Sequence, residues 1–406
     1  MRIVHITWSD FHGGAAKASF NLHRGLLDLG VDSHLIAQKK YRKYENVHTH
    51  SSSILRALTR INPYMDYLWT LTYRRDDSYY FSNGRRSLWS LRRLALRYRP
   101  DIVHLHWIGK GCFSTFDFSY INIPVVISLH DSWLFTGGCH VPKSCTKYQS
   151  HCGNCPALTS TEIKDPSYFN LIRKKIALSK LKSLTVVGVS NWISSCAKSS
   201  YVLNDAQVHT LPNPIDTDLF KPYSQSQSRE FLNASPDSTV LLFGGFDFLS
   251  DSNKGFTLLI EALLGISTSF DFELWTFGDH LDTQMMQNTG FSVRSFGSID
   301  DASILPVIYS AADMTIVPSL QESFCQVAAE SKSCSTPVVS FKTSGLLDIV
   351  IDKFNGKLAS HISSESLATA IKWLLCCSDI RQIKKNCRSH ALAKFSMHEV
   401  SNQYLE

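Results

Sequence analysis

No stretch of this 406-residue chain holds about 18 consecutive apolar residues, so no membrane-spanning helix is expected. The opening "MRIVHITWSD" lacks the apolar run and small-residue cleavage site of a secretory signal, and the cytoplasm is the expected compartment. There the 11 cysteines are expected to be mostly reduced. Internal repeats and low-complexity tracts are absent too, which argues against a repeat array or a disordered chain. Charged residues are only 19% of the chain and the net charge of +6 is too mild to imply nucleic acid by itself. What is present, 44% hydrophobic residues, describes an ordinary globular protein long enough for two cores.

The most polar connecting stretch, "KPYSQSQSREFLNASPDS" at 221–238, separates two apolar halves. Just before it, Pro212 and Pro214 suit a fixed turn better than a helix or an inner strand. The domain boundary is placed there, giving residues 1–213 and 214–385, with 386–406 expected as a C-terminal helix crossing back to the first domain.

In the second half, "PSLQESFCQVAAESKSCSTPVVS" at 318–340 sets Glu322 and Glu330 eight positions apart. The apolar "DMTIVPS" before it and "TPVVSF" after it read as strands, and Val327, Ala328 and Ala329 favour a helix between them. That is a βαβ unit of a parallel sheet, with ligands expected beyond the strand ends, at helix N-termini that attract phosphate. Eight residues of helix rise about 12 Å, whereas paired hydrolytic carboxylates sit roughly 5 to 9.5 Å apart. A long ligand gripped at both ends fits better, with phosphates on the amides of Phe324, Cys325 and Gln326; a nucleotide sugar has that shape. The alternative is that both acids are ordinary solvated helix residues. Upstream, "STVLLFGGFDFLSDSNKGFTLLIEALL" repeats the pattern of strand, glycine loop and helix, with Lys254 and Gly255 opening the helix, where a lysine can neutralise a diphosphate.

The first half begins in the same way. Gly13 and Gly14 follow the first strand and would let the backbone turn tightly toward a ligand, or simply make a turn. The strands "DIVHLHW" and "PVVISLHDSW" are apolar enough to be covered on both faces, and each ends in histidine and aromatic residues. His130 is the sharper candidate, an imidazole able to donate to a phosphate or sugar hydroxyl, with the Asp131 carboxylate orienting it. Between 87 and 99, a helix is expected with Leu88, Leu91, Ala95 and Tyr98 on one face and arginines around the rest; it would rest on anionic lipid or pack on the sheet. Residues 139–155 hold Cys139, Cys145, Cys152 and Cys155, spaced C-x5-C-x6-C-x2-C. Reduced, they can surround a structural zinc, with His140 or His151 able to replace a thiol; redox chemistry and plain buried cysteines stay open.

Through these motifs the chain resembles glycosyltransferase family 4. The carrying residues are the Gly13-Gly14 loop, "LHD" at 129–131, "VGVSNW" at 187–192, "LPNPID" at 211–216, "NKGF" at 253–256, the stretch from Pro318 to Val339 and "GLLDIV" at 345–350. The resemblance spans nearly the whole chain and implies an α/β fold of the GT-B class, two Rossmann-like domains facing a central cleft. It implies that Glu330 holds the nucleotide ribose, Glu322 faces the donor sugar, Lys254 meets the diphosphate and His130 lies at the reaction centre. The implied activity is retaining transfer of a sugar from a UDP- or GDP-linked donor to a saccharide acceptor, with no catalytic metal. The cysteine loop looks like that of bacterial members building exopolysaccharide, colanic acid or O-antigen, so the acceptor is expected to be lipid-linked, and the enzyme to touch the inner face of the plasma membrane. The usual arginine before the lysine is missing from "GGFDFLSDSNKG", a glycine is replaced by Cys325, and "ESKSCS" stands where the family has "EAMACG". A nucleotide-sugar epimerase of the same fold and an inactive GT-B partner remain as rivals. A nucleic-acid-binding zinc module is disfavoured, since the basic residues lie away from the cysteines and no paired knuckle exists.

Overall fold

The computed structural model describes the chain except residues 77, 86, 88–90, 283–285, 287 and 288. It divides into two compact units, residues 1–213 with 401–406, and residues 214–400. No helix among the described residues is long and apolar enough to cross a membrane.

The first unit is built on seven strands: β1 (Arg2–Ser9), β2 (Asp32–Lys39), β3 (Val47–His48), β4 (Ile102–Leu105), β5 (Val125–Leu129), β6 (Leu184–Gly188) and β7 (Gln207–Thr210). All pair in parallel, in the order β3-β2-β1-β4-β5-β6-β7. The order reverses at β1, where a doubly wound sheet binds its ligands. The strands are covered on both faces: Val4, Ile6, Val103, Leu105, Ile127 and Leu129 are buried on one, and His5, His104 and Ser128 on the other. The helix Gly14–Asp28 follows β1 and buries Ala16, Ala18, Phe20, Leu22 and Leu26. Gly13 caps it at φ 91°, in the left-handed region; a Cβ there would meet nothing, so the backbone conformation alone asks for glycine.

The second unit carries six parallel strands: β8 (Val240–Gly244), β9 (Glu273–Phe277), β10 (Ser292–Ser295), β11 (Met314–Val317), β12 (Val338–Phe341) and β13 (Gly356–Ala359). Their order is β10-β9-β8-β11-β12-β13. Leu241, Phe243, Leu274, Ile316, Val339 and Phe341 join Leu259, Leu263, Leu367 and Ile371 of the covering helices in one core. Both sheets thus meet the expected α/β, Rossmann-like pattern.

Three local expectations need correction. The arginine-rich helix runs only from Arg92 to Arg97, and Leu91 and Ala95 are fully buried, so its apolar face is spent on the core and is not offered to lipid. Leu88 of the same expectation lies outside the described residues. Lys254 ends a 3-10 turn, Ser252–Lys254, and Gly255 at φ 70° caps the helix Phe256–Leu264, so the lysine precedes the helix. Residue 386 falls inside the helix Ile380–Phe395, and a separate helix, Met397–Leu405, closes the chain.

Candidate functional site

In the second unit, the loop 318–325 leads from β11 to the helix Gln326–Ser333. Glu322 is fixed within it at both backbone ends: its N–H donates to Ser344 Oγ (2.8 Å), and its carbonyl accepts from the Gly345 N–H (2.8 Å). A Cβ at Gly345 would lie 2.3 Å from the Ser323 carbonyl oxygen, so only glycine allows this approach. The loop after β8 is stitched to the same place. Asn253 Nδ2 donates to the Gln321 carbonyl (2.8 Å), and a Cβ on Gly255 would stand 2.0 Å from the Pro318 carbonyl oxygen.

This stitching sets Lys254 Nζ 2.7 Å from Glu322 Oε1, with 27% and 15% of the two side chains exposed. Burial works to lower the Lys254 pKa, but the charge and hydrogen bond of Glu322, with Cys325 and Asp251 adding, hold it above the ordinary lysine value. The ammonium therefore stays charged. It is the one cation in the segment from Gly244 to Gly255, where the usual arginine is missing. Two N–H groups of the segment, those of Asp247 and Leu249, are occupied by the Asp279 carboxylate at 3.1 and 2.9 Å.

Glu330 lies one turn into the helix, 2% exposed, and accepts from Tyr309 OH at 3.2 Å. Phe324 is buried edge-on against Phe395, ring centroids 5.4 Å apart. Cys325 caps the helix at φ 91°, a left-handed conformation that suits the glycine it replaces. Gln326 opens the helix, whose N-terminal end carries the positive pole of the helix dipole. Lys254, Gly255, Glu322, Phe324, Cys325, Gln326 and Glu330 are thus all in the second unit, and Gly13, Gly14 and His130 in the first.

In the first unit, His130 stands just past β5 and lines a small cavity with Trp107, Asp131, Trp133 and His140. Asp131 does not orient it. The carboxylate instead accepts from His140 Nδ1 (2.6 Å), Trp107 Nε1 (2.5 Å) and the Trp133 N–H (2.8 Å). Burial works to raise the Asp131 pKa, and these partners, His140 first, outweigh it and hold it low. The reason is the pleat: consecutive residues leaving a strand point to opposite sides. His130 is held by His106, whose Nδ1 lies 3.0 Å from His130 Nε2. Burial pushes the His130 pKa down to about 4 although Asp131 works to raise it, so the ring is neutral near pH 7. Sequence reasoning missed His106, Tyr309 and Ser344. The alternation "HLH" at 104–106 was the available signal for the first, since residues two apart at a strand end point to the same side.

Cys139, Cys145, Cys152 and Cys155 line one small pocket. Cys139 and Cys155 share a thiol hydrogen bond and pack with Phe81, Ala157 and Leu158. His140 is committed to Asp131 and Ser82, so it is no substitute for a thiol. The donor set fits zinc. The separations do not: among the described residues no trio of these sulfurs comes within 4.8 Å of one another, where tetrahedral zinc needs about 3.8 Å.

The profile of Glycosyltransferase Family 4 matches residues 12–219, more than half of the chain. The chain belongs to glycosyltransferase family 4. A second profile, Glycosyl transferases group 1, covers residues 238–377 of the other unit. Among relatives, the lipopolysaccharide 1,2-N-acetylglucosaminetransferase of Salmonella typhimurium is 26% identical over 50% of this chain and 56% of its own. The D-inositol 3-phosphate glycosyltransferase of Saccharomonospora viridis is 34% identical over 49% of each. The chain spans about half the length of these curated relatives. Among solved structures, sucrose-phosphate synthase from Thermosynechococcus elongatus superposes with a TM-score of 0.69 at 20% identity, covering 99% of this chain and 97% of that one. HepE of Anabaena, in complex with UDP and glucose, gives 0.67 at 17% identity, covering 100% and 98%. This family 4 chain therefore has the GT-B fold class.

Proposed function

We propose that the chain is a retaining glycosyltransferase that moves a sugar from a nucleoside diphosphate sugar to a saccharide acceptor. The observation that carries this reading is the Lys254–Glu322 ion pair, set where the loops after β8 and β11 are stitched together, beside a helix N-terminus. A diphosphate entering there would take the lysine and the first-turn N–H groups. Glu322, released from Lys254, would accept hydroxyls of the donor sugar, and Glu330 those of the ribose. His130 is assigned to the transfer step. The acceptor hydroxyl attacks on the face that the leaving phosphate vacates and gives its proton to a phosphate oxygen; stabilising that phosphate is the main contribution of the protein.

UDP is the first probe because HepE has been solved with UDP and with UDP-glucose. The assignment of a lipid-linked acceptor in surface polysaccharide synthesis is supported by the likeness to the lipopolysaccharide relative. The membrane contact belongs to residues 54–74, where Ile54, Tyr64, Leu68 and Leu71 are exposed among Arg56, Arg60 and Arg74. Zinc in the cysteine loop would staple the loop and carry no step of transfer; to hold it, the sulfurs must draw closer.

The test is calorimetric titration with UDP and GDP for the wild type and Glu330→Gln, which keeps the buried shape. Micromolar binding of one nucleotide, weakened in the variant, supports the donor site. Acceptor-dependent transfer then separates this reading from an epimerase, and binding to neither nucleotide would favour an inactive partner.

A further inference from the structure

One face of the first sheet is lined by imidazoles. His5 on β1 pairs in register with His104 on β4, and His106 follows two residues on, on the same face. His5 Nδ1 lies 3.0 Å from His106 Nε2, and His106 Nδ1 lies 3.0 Å from His130 Nε2. The rings stack, with centroids 5.2 Å apart for the first pair and 5.3 Å for the second. His5 Nε2 and His130 Nδ1, the two ends, are buried and have no partner among the described residues. We propose that His5 and His106 are positioning residues that lock His130 as the tautomer carrying its proton on Nδ1, so that His130 donates an N–H to an oxygen of the sugar nucleotide. This rests on the assignment of His130 to the transfer step.

The number of protons on the three rings restricts the tautomers. Three neutral imidazoles hold three N–H groups and three lone pairs, and the two internal hydrogen bonds use two of each. Only two arrangements make both bonds, one with every proton on Nδ1 and one with every proton on Nε2. In the first, His5 Nε2 is left a bare lone pair and His130 Nδ1 is an N–H. In the second, His5 Nε2 carries the idle N–H. His5 is 0% exposed and packed against His23 and His104, and its Nε2 has no hydrogen-bond partner among the described residues. A bare lone pair in such a place costs less than an idle N–H. His130, by contrast, is only partly buried and lines a cavity, and its Nδ1–H, covered in this structure, would be taken by a ligand oxygen that enters there. Burial keeps the chain neutral, lowering His5 and His106 well below the ordinary histidine value.

Nitrogen NMR on the full chain with isotope-labelled histidine reads the tautomer directly, with His130 assigned through His130→Asn. The expected wild-type spectrum has the His130 proton on Nδ1. His106→Leu should release His130 into a mixture of tautomers, and His106→Asn, whose amide N–H can stand in for Nδ1–H, should keep the wild-type pattern. In transfer assays His106→Leu should lower kcat about tenfold with the donor KM changed by less than about twofold, and His106→Asn should recover most of the loss. A proton on Nε2 of wild-type His130 would overturn the proposal even if no variant folds, as would an unchanged His130 spectrum in folded His106→Leu. His5, His104 and His106 also bring one nitrogen each within 4.8 Å of the others; stoichiometric metal lost in His104→Leu would overturn it too, because the metal takes lone pairs that the hydrogen bonds need. The expected spectra without transfer of any sugar would leave the lock standing and remove the transfer reading.

Discussion

Lys254 and Glu322 come from loops 68 residues apart and meet at 2.7 Å. In the proposed donor site each residue holds the other ready for a diphosphate sugar that would separate them. Lys254→Ala removes charge-assisted contacts to the diphosphate worth about 1.5 to 3 kcal/mol, or roughly 10- to 150-fold in affinity. Calorimetric titration with the cognate nucleotide should show that loss. Glu322→Ala and His130→Ala should instead reduce transfer more than nucleotide affinity. Wild-type transfer rates in both folded variants would remove them from the site.

Cys325 holds φ 91° at the N-cap of the helix that carries Glu330. A side chain in the left-handed region costs about 1 kcal/mol relative to glycine. Cys325→Gly is therefore expected to raise the thermal unfolding midpoint and to leave nucleotide affinity nearly unchanged. A lower midpoint would mean that the packing of the cysteine side chain outweighs the backbone relief.

The buried histidines of the first unit predict a sign for the pH dependence of stability. Burial pushes His23 and His130 down to about 4 and His104 to about 3. Below the unfolded value of about 6.5, the unfolded chain binds protons that the folded chain refuses, so stability falls as pH falls from there toward 4. Each such ring contributes up to about 1.4 kcal/mol per pH unit. Thermal melts across that range should show the midpoint falling steeply with acid, while between about pH 7 and 8 these rings contribute nothing.

The two-sheet architecture and the loop between β11 and β12 were legible because their signals are local: apolar runs, Pro318 and Pro337, and two glutamates in order along one segment. The partner of His130 was not. Sequence adjacency favoured Asp131, but the pleat turns Asp131 toward His140, and the true partner His106 sits just past the end of the neighbouring strand. Strand order is a property of the whole sheet, so such pairs are hidden in a linear reading. The arginine-rich segment failed for a related reason. Periodicity identified an apolar face at Leu91 and Ala95, yet only the fold determines whether a face meets the core or a membrane.

The surface that does stay open is the segment 54–74. Ile54 and Tyr64 are 70% and 74% exposed, and Leu68, Trp69 and Leu71 are exposed beside them. Arg56, Arg60 and Arg74 are exposed among these apolar groups, whereas the one acid of the segment, Asp66, is buried and spends its carboxylate on the N–H groups of Asn83 and Gly84. Exposed apolar and cationic side chains are what an anionic lipid surface binds, and Glu162, an acid that meets the segment from elsewhere in the chain, is held by Tyr73 OH. The purified chain should therefore sediment with vesicles containing phosphatidylglycerol and much less with phosphatidylcholine alone, and added salt should weaken the contact. Each basic residue near such a surface contributes about 1 kcal/mol, so Arg56→Ala with Arg60→Ala should weaken partitioning roughly 30-fold. Tyr64→Ser should weaken binding to the anionic vesicles without changing its salt dependence, because it removes apolar contact and no charge. Equal partitioning of the wild type onto neutral and anionic vesicles would show that the arginines are not what holds it there.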